Sequence, residues 1–171
     1  FGAIKIALHL YKLRIQVINM REILFFKGKY EIITLPEFAL KTKKFYDKLF
    51  SLFKTKEYTY KTIETISDKK AGEHISKQTH YIVGHSKGAT RILKEFVAEN
   101  HPQIKGVIIF DPKQNCRKEW DKLKIPKLLF VSTKKQTQDY KGFQDKIEIQ
   151  DDHYFNNSKE KVFPILEKFI E

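Results

Sequence analysis

The chain has 171 residues, enough for one domain with a real core, and 41% of them are hydrophobic and 32% charged. Its single cysteine, Cys116, excludes an internal disulfide and disfavours a disulfide-stapled secreted fold, so a reducing, cytoplasmic setting is expected. Lys and Arg number 33 against 21 Asp and Glu, a formal +12, but the lysines are spread along the chain without a run of five like charges. Arginine, the residue favoured for reading base edges, occurs only at 14, 21, 91 and 117. The charge therefore reads as a solvated, lysine-rich surface rather than a nucleic-acid footprint.

The first segment, Phe1 to Leu13, is interrupted by Lys5, His9 and Lys12 and does not read as a signal peptide. No stretch approaches the roughly eighteen apolar residues of a membrane span. Met20 is the only methionine and opens a strand-like run. Residues 1–19 are thus a candidate upstream extension of a single domain over 1–171.

Residues 14–19 and 22–27 read as the first strands, and Gly28-Lys29 as a turn. Tyr30 to Leu35 is a further strand stopped by Pro36. Residues 39–54 carry Leu40, Phe45, Leu49, Phe50, Leu52 and Phe53 at helical spacing. Tyr58 to Ile66 alternates as a strand, and Ser67-Asp68 can cap a short helix to about residue 77.

The second half is more sharply patterned. A strand at 79–83 is followed by a helix over 87–99. Gly106 to Phe110 is continuously apolar, as in a strand buried on both faces, and it stops at Asp111-Pro112. Lys127 to Ser132 repeats the pattern, Lys146 to Gln150 is a shorter strand, and a last helix spans about 158–170. Alternating strands and helices imply an α/β fold, a mainly parallel central sheet flanked by helices. Ligands of such sheets gather at the carboxyl ends of the strands. Ser86, Asp111, Ser132 and the segment after Gln150 all fall there.

One stretch asks for chemistry. Gly84-His85-Ser86-Lys87-Gly88 joins a strand directly to a helix. An ordinary tight turn is the plain explanation. The chemical one is that the turn holds up a serine nucleophile. A serine needs a base to take its proton, commonly a histidine oriented by an acid, and N–H donors for the oxyanion. At a helix N-terminus the N–H of Lys87 can face that charge. The base should follow the last strand, where His153 lies in Asp151-Asp152-His153-Tyr154-Phe155. Asp151 and Asp152, as sequence neighbours of His153, read as exposed. His85 reads as packing beside the turn. Cys116 reads as an inert thiol, and Trp120 and Phe143 as pocket-lining or core residues. No histidine pair has the spacing of a zinc site, so neither metal nor cofactor is expected.

On GHSKG at 84–88, the strands at 106–110 and 127–131, and His153-Tyr154-Phe155 before a terminal helix, residues 22–171 resemble the α/β-hydrolase superfamily, in particular its small, lidless serine hydrolases. The resemblance implies Ser86 as nucleophile and His153 as base. It implies an oxyanion hole from the backbone of Lys87 and, after the 31–35 strand, of Phe38 or Glu37; a second alignment puts that loop at Lys27-Gly28-Lys29. Glu37 stands where the family usually has glycine. The family's acid follows the strand at 127–132, where Asp139 is the nearest carboxylate; Asp111 is the alternative acid and Asp145 a third candidate. The implied activity is hydrolysis of a carboxylic ester or thioester, on a small or exposed acyl substrate. A non-catalytic binding or structural subunit on the same fold is the alternative, motivated by Glu37 and the empty acid position.

Overall fold

A computed structural model describes residues 2–18, 20–28, 36–133, 140, 142–143 and 145–171. The expected strand at 30–35 lies outside them. In chain order the regular elements are α1 (Gly2–Ile18), β1 (Arg21–Phe26), α2 (Pro36–Thr55), β2 (Tyr58–Ile63), β3 (Thr79–His85), α3 (Lys87–Glu95), β4 (Gly106–Phe110), α4 (Arg117–Lys122), β5 (Lys127–Ser132), β6 (Lys146–Ile149) and α5 (Lys159–Phe169). The six strands form one sheet in the order β2-β1-β3-β4-β5-β6, and every pairing is parallel. This is the expected α/β architecture.

Parallel strands covered on both faces must be apolar throughout, and successive side chains alternate between the faces. In β1, Leu24 and Phe26 join Ile82, Ile92, Val107, Ile109, Trp120 and Leu129 in one core layer. Ile23 and Phe25 point the other way, into a layer with Phe45, Leu49, Phe53, Val83, Phe110 and Leu166. The first layer therefore carries α3 and α4, and the second α2 and α5.

α2 buries Phe45, Tyr46, Leu49 and Phe53 on one stripe, while Leu40, expected on that stripe, is 67% exposed. Pro36 opens it at a position that needs no backbone N–H. α3 ends at Glu95, earlier than expected, because Phe96 turns to extended backbone and drops its ring into the core. The helix expected after Ser67-Asp68 is only a 3₁₀ turn at Ala71–His74, whose first N–H is capped by Glu95 at 2.8 Å. α4 is an addition; its charged run RKEWDK gives no period, and Trp120, 1% exposed, anchors it.

The largest correction is at the start of the chain. Residues 14–18, expected as strand, belong to α1. The β-branched Ile15, Val17 and Ile18 suggested a strand, but Ala, Leu and Lys upstream form helix well, and an established helix extends cheaply. Ile4, Ile6, Leu8, Leu10 and Tyr11 of α1 are each at least 54% exposed. Among the described residues no helix is long and apolar enough to cross a membrane.

Candidate functional site

The turn between β3 and α3 is sharp. Ser86 has φ +56° and ψ −121°, a conformation that side chains other than glycine rarely take and that costs about 1–3 kcal/mol. Three backbone bonds hold it. Its N–H donates to the Phe110 carbonyl at 2.9 Å, and its own carbonyl accepts from Thr90 at 3.1 Å and Lys113 at 3.3 Å. The two flanking glycines answer to close approach. A Cβ on Gly84 would sit 2.5 Å from Ile92 Cδ1, and one on Gly88 only 2.2 Å from the Phe26 carbonyl oxygen. Both let α3 start hard against the sheet. Lys87 is the first helical residue, so its N–H precedes the first helical acceptor and faces out of the turn. Ser86 is half-buried, and among the described residues its Oγ makes no hydrogen bond.

On the adjacent strand, β4 ends at Phe110 and the chain turns at Asp111, with φ +41°. The Asp111 side chain is only 6% exposed. A carboxylate this deep costs several kcal/mol unless its oxygens are satisfied. Ser132, at the end of β5, donates its N–H to Oδ1 at 2.7 Å and its hydroxyl to Oδ2. His153 Nδ1 lies 3.0 Å from the same Oδ2. An ionised carboxylate only accepts, so Nδ1 carries the proton and Nε2 is left as the basic nitrogen. Tyr140 donates its hydroxyl to the Pro112 carbonyl at 2.8 Å and fixes the residue after Asp111. Burial, then the charge of Asp111, then Cys116 push the Tyr140 phenol far up, so it stays a donor.

His153 is carried by the loop after β6, and Asp151 ties that loop together. Expected to be exposed, Asp151 is 0% exposed. Its Oδ1 accepts from the Asp152 N–H at 2.7 Å and Asn157 Nδ2 at 3.2 Å. Its Oδ2 accepts from the Asn157 N–H at 2.8 Å and the Ser158 hydroxyl at 2.7 Å. Burial alone would raise its pKa, but the bonds from Ser158, Asp152 and Asn157 outweigh it and hold the carboxyl below its usual value. The sequence missed this because the donors are supplied by the folded path of the loop itself.

His85 is the second tie. It is 2% exposed, and its ring centroid lies 4.5 Å from that of His153. His85 Nε2 is 2.8 Å from the His153 carbonyl oxygen, and Nδ1 is 3.0 Å from the Tyr46 hydroxyl. A carbonyl only accepts, so the proton is on Nε2. Nδ1 then accepts from Tyr46, whose oxygen accepts the Gly28 N–H at 2.9 Å. Burial, reinforced by His153, holds the His85 pKa well below its usual value despite the bond to the His153 carbonyl. His85 is thus a neutral spacer that fixes the height of the His153 backbone over the elbow. Tyr46 gave no separate signal, since it lies on the apolar stripe of α2.

The remaining candidates fall as follows. Asp139 lies outside the described residues, and Asp145 is exposed. Asp111 is the carboxylate that meets His153. Phe38 is in the first turn of α2, and residues 29–35, which join it to Gly28, are outside the described residues. Gly28, from the second alignment, packs directly on Ser86: a Cβ there would be 3.1 Å from Ser86 Cβ. Glu37 pairs with Lys41 at 3.2 Å, and its side chain is 75% exposed. Cys116 and Trp120 are core residues, as is Phe143. Burial, then Glu119, raise the Cys116 thiol pKa against the pull of Lys94. Among the described residues no group of three His, Cys, Asp or Glu could hold a metal ion.

Serine, imidazole and carboxylate thus converge at one end of the sheet, from the ends of β3 and β4 and the loop after β6. No protein-family model, curated protein or solved structure matches the chain.

Proposed function

We propose that the protein is a serine hydrolase of the α/β-hydrolase type that cleaves a carboxylic ester or thioester. The observation that carries the reading is the His153–Asp111 contact at 3.0 Å, on a carboxylate already fixed by Ser132, beside a serine held at positive φ. Ser86 Oγ attacks the acyl carbon while His153 Nε2 takes its proton. Asp111 keeps the Nδ1 proton in place and stabilises the imidazolium. The Lys87 N–H faces the oxyanion. His153 returns the proton to the departing alcohol or thiol, and the acyl group stays on Ser86. Water, deprotonated by His153, then releases the carboxylic acid and restores the serine.

The alternative, a non-catalytic subunit on the same fold, is favoured by one observation, the absence of a hydrogen bond on Ser86 Oγ among the described residues. Catalytic contacts often tighten only when substrate binds, so this does not outweigh the Asp–His pair. A fluorophosphonate probe separates the two. The hydrolase labels at Ser86, and labelling disappears in Ser86→Ala and His153→Ala. A folded wild-type protein that takes no label is the non-catalytic subunit.

A further inference from the structure

Beside the elbow a groove of about 480 Å³ runs along the outer side of α3. Its walls are the loop after β2 and the segment after β4. Lys69, Lys70, Lys87, Arg91, Lys94 and Lys113 line it. The only carboxylates among its lining residues are Asp68 and Glu95.

Part of this charge is used inside the protein. Arg91 binds Glu95 at 3.1 Å and donates to the carbonyls of Glu64, Ser67 and Lys69, so it makes the floor and holds the 64–69 loop against α3. Glu95 is spent on Arg91 and on the Ala71 N–H. Among the described residues Lys94 reaches only a neutral acceptor, the Gln114 side-chain oxygen. The ammonium groups of Lys69 and Lys87 form no ion pair or hydrogen bond among the described residues. Asp68 is left facing several lysines. Clustered cations repel one another, and a concave wall concentrates their field. Glu95 is already engaged by Arg91, so among the lining residues Asp68 is the carboxylate left to offset this charge.

The groove also reaches the reaction centre. Lys87 adjoins Ser86 in sequence, and Thr90 and Lys113, both lining residues, donate to the Ser86 carbonyl. We infer that this groove seats an anionic group, a carboxylate or phosphate, carried by the ester or thioester whose acyl carbon Ser86 attacks. The inference rests on the hydrolase reading and adds the substrate class to it. The anion can belong to the acyl side or to the leaving group, and the chemistry of the groove is the same for both.

Two matched pairs of substrates test it. 4-Nitrophenyl hemiglutarate against 4-nitrophenyl butyrate places the charge on the acyl side. Butyryl-coenzyme A against the N-acetylcysteamine butyryl thioester places it on the leaving group. The expected result is a KM lower for the anionic member of at least one pair, with the advantage shrinking about three- to tenfold in Lys69→Gln/Lys94→Gln and at high salt. Fluorophosphonate labelling is measured on the same samples. Labelled protein that hydrolyses each pair with equal KM overturns the groove inference and leaves the hydrolase. A charge preference that neither the lysine substitutions nor salt alters also overturns it, since the selectivity then comes from elsewhere. Folded protein with neither labelling nor turnover overturns the hydrolase reading, and the inference falls with it.

Discussion

Two buried aspartates stand at the same end of the sheet and have opposite employments. Asp151 is saturated by its own loop: among the described residues its donors all come from residues 152–158. Asp111 is served from elsewhere, by Ser132 on the next strand and by His153, 42 residues away. A carboxylate whose oxygens are filled by near neighbours has no capacity left for chemistry and works as a clamp. One that meets an imidazole from across the fold sets that ring's tautomer, and so sets what the ring can do. Burial alone does not tell the two apart; the sequence separation of their partners does.

Substituting each aspartate by its amide breaks the comparison most directly. Asp111→Asn turns an acceptor into a donor facing His153 Nδ1, so the ring must move its proton to Nε2 and lose its base. Turnover of an activated ester is expected to fall by about 10⁴-fold, as in other such pairs, with far-UV circular dichroism unchanged. Asp151→Asn removes charge-assisted bonds and sets an amide N–H against N–H or O–H donors. It is expected to cost about 2–4 kcal/mol, seen as a fall of about 5–15 °C in Tm. If Asp111→Asn lost stability and kept activity, or Asp151→Asn did the reverse, the roles would be exchanged.

A smaller effect tests the tie between the two corners. Tyr46→Phe deletes the hydroxyl between Gly28 and His85, leaving the Gly28 N–H and the His85 Nδ1 without that partner. About 1–2 kcal/mol of stability should go, with kcat lowered more than KM raised, because the His153 backbone is less well held. An unchanged kcat would reduce His85 to a packing residue.

The smallest effect is in the pH dependence of unfolding, and it divides into two windows. His85 has a folded pKa below its unfolded value of about 6.5, so the unfolded chain binds its proton first and stability drops as the pH falls below that point. Asp151 also has a folded pKa below its unfolded value of about 3.9; its contribution is complete above that value and is lost as the pH falls through the folded one. Denaturant midpoints of His85→Gln should therefore show a flatter slope from about pH 6.5 downward, and those of Asp151→Asn should converge on wild type only below about pH 4. A slope in the upper window that survives His85→Gln would assign it to another group.

Much of this was legible from residues alone. The two glycines around Ser86, the apolar runs at 106–110 and 127–132 and the place of His153 after the last strand are local patterns, and the folded chain keeps them where the spacing put them. Asp111 was open as an acid beside Asp139 and Asp145, because a carboxylate at the end of a strand looks alike on any strand. The burial of Asp151, the link from Gly28 through Tyr46 and His85 to His153, and the basic groove were not legible. Each brings together residues from distant segments, none of which is unusual in its own neighbourhood.

The α/β class, the strands of the second half and the strand–serine–helix turn follow from the order of residues along the chain. Burial periodicity and the steric demand for glycine act over a few residues, so they are written in short runs. That order misleads at residues 14–18, where β-branched side chains suggested a strand and an upstream helix carried through. Which carboxylate meets His153 is settled by the packed fold, because it depends on β4 and β5 lying side by side and on the path of the loop after β6. Sheet order is a global outcome of packing two apolar layers onto one sheet, and no residue states it locally.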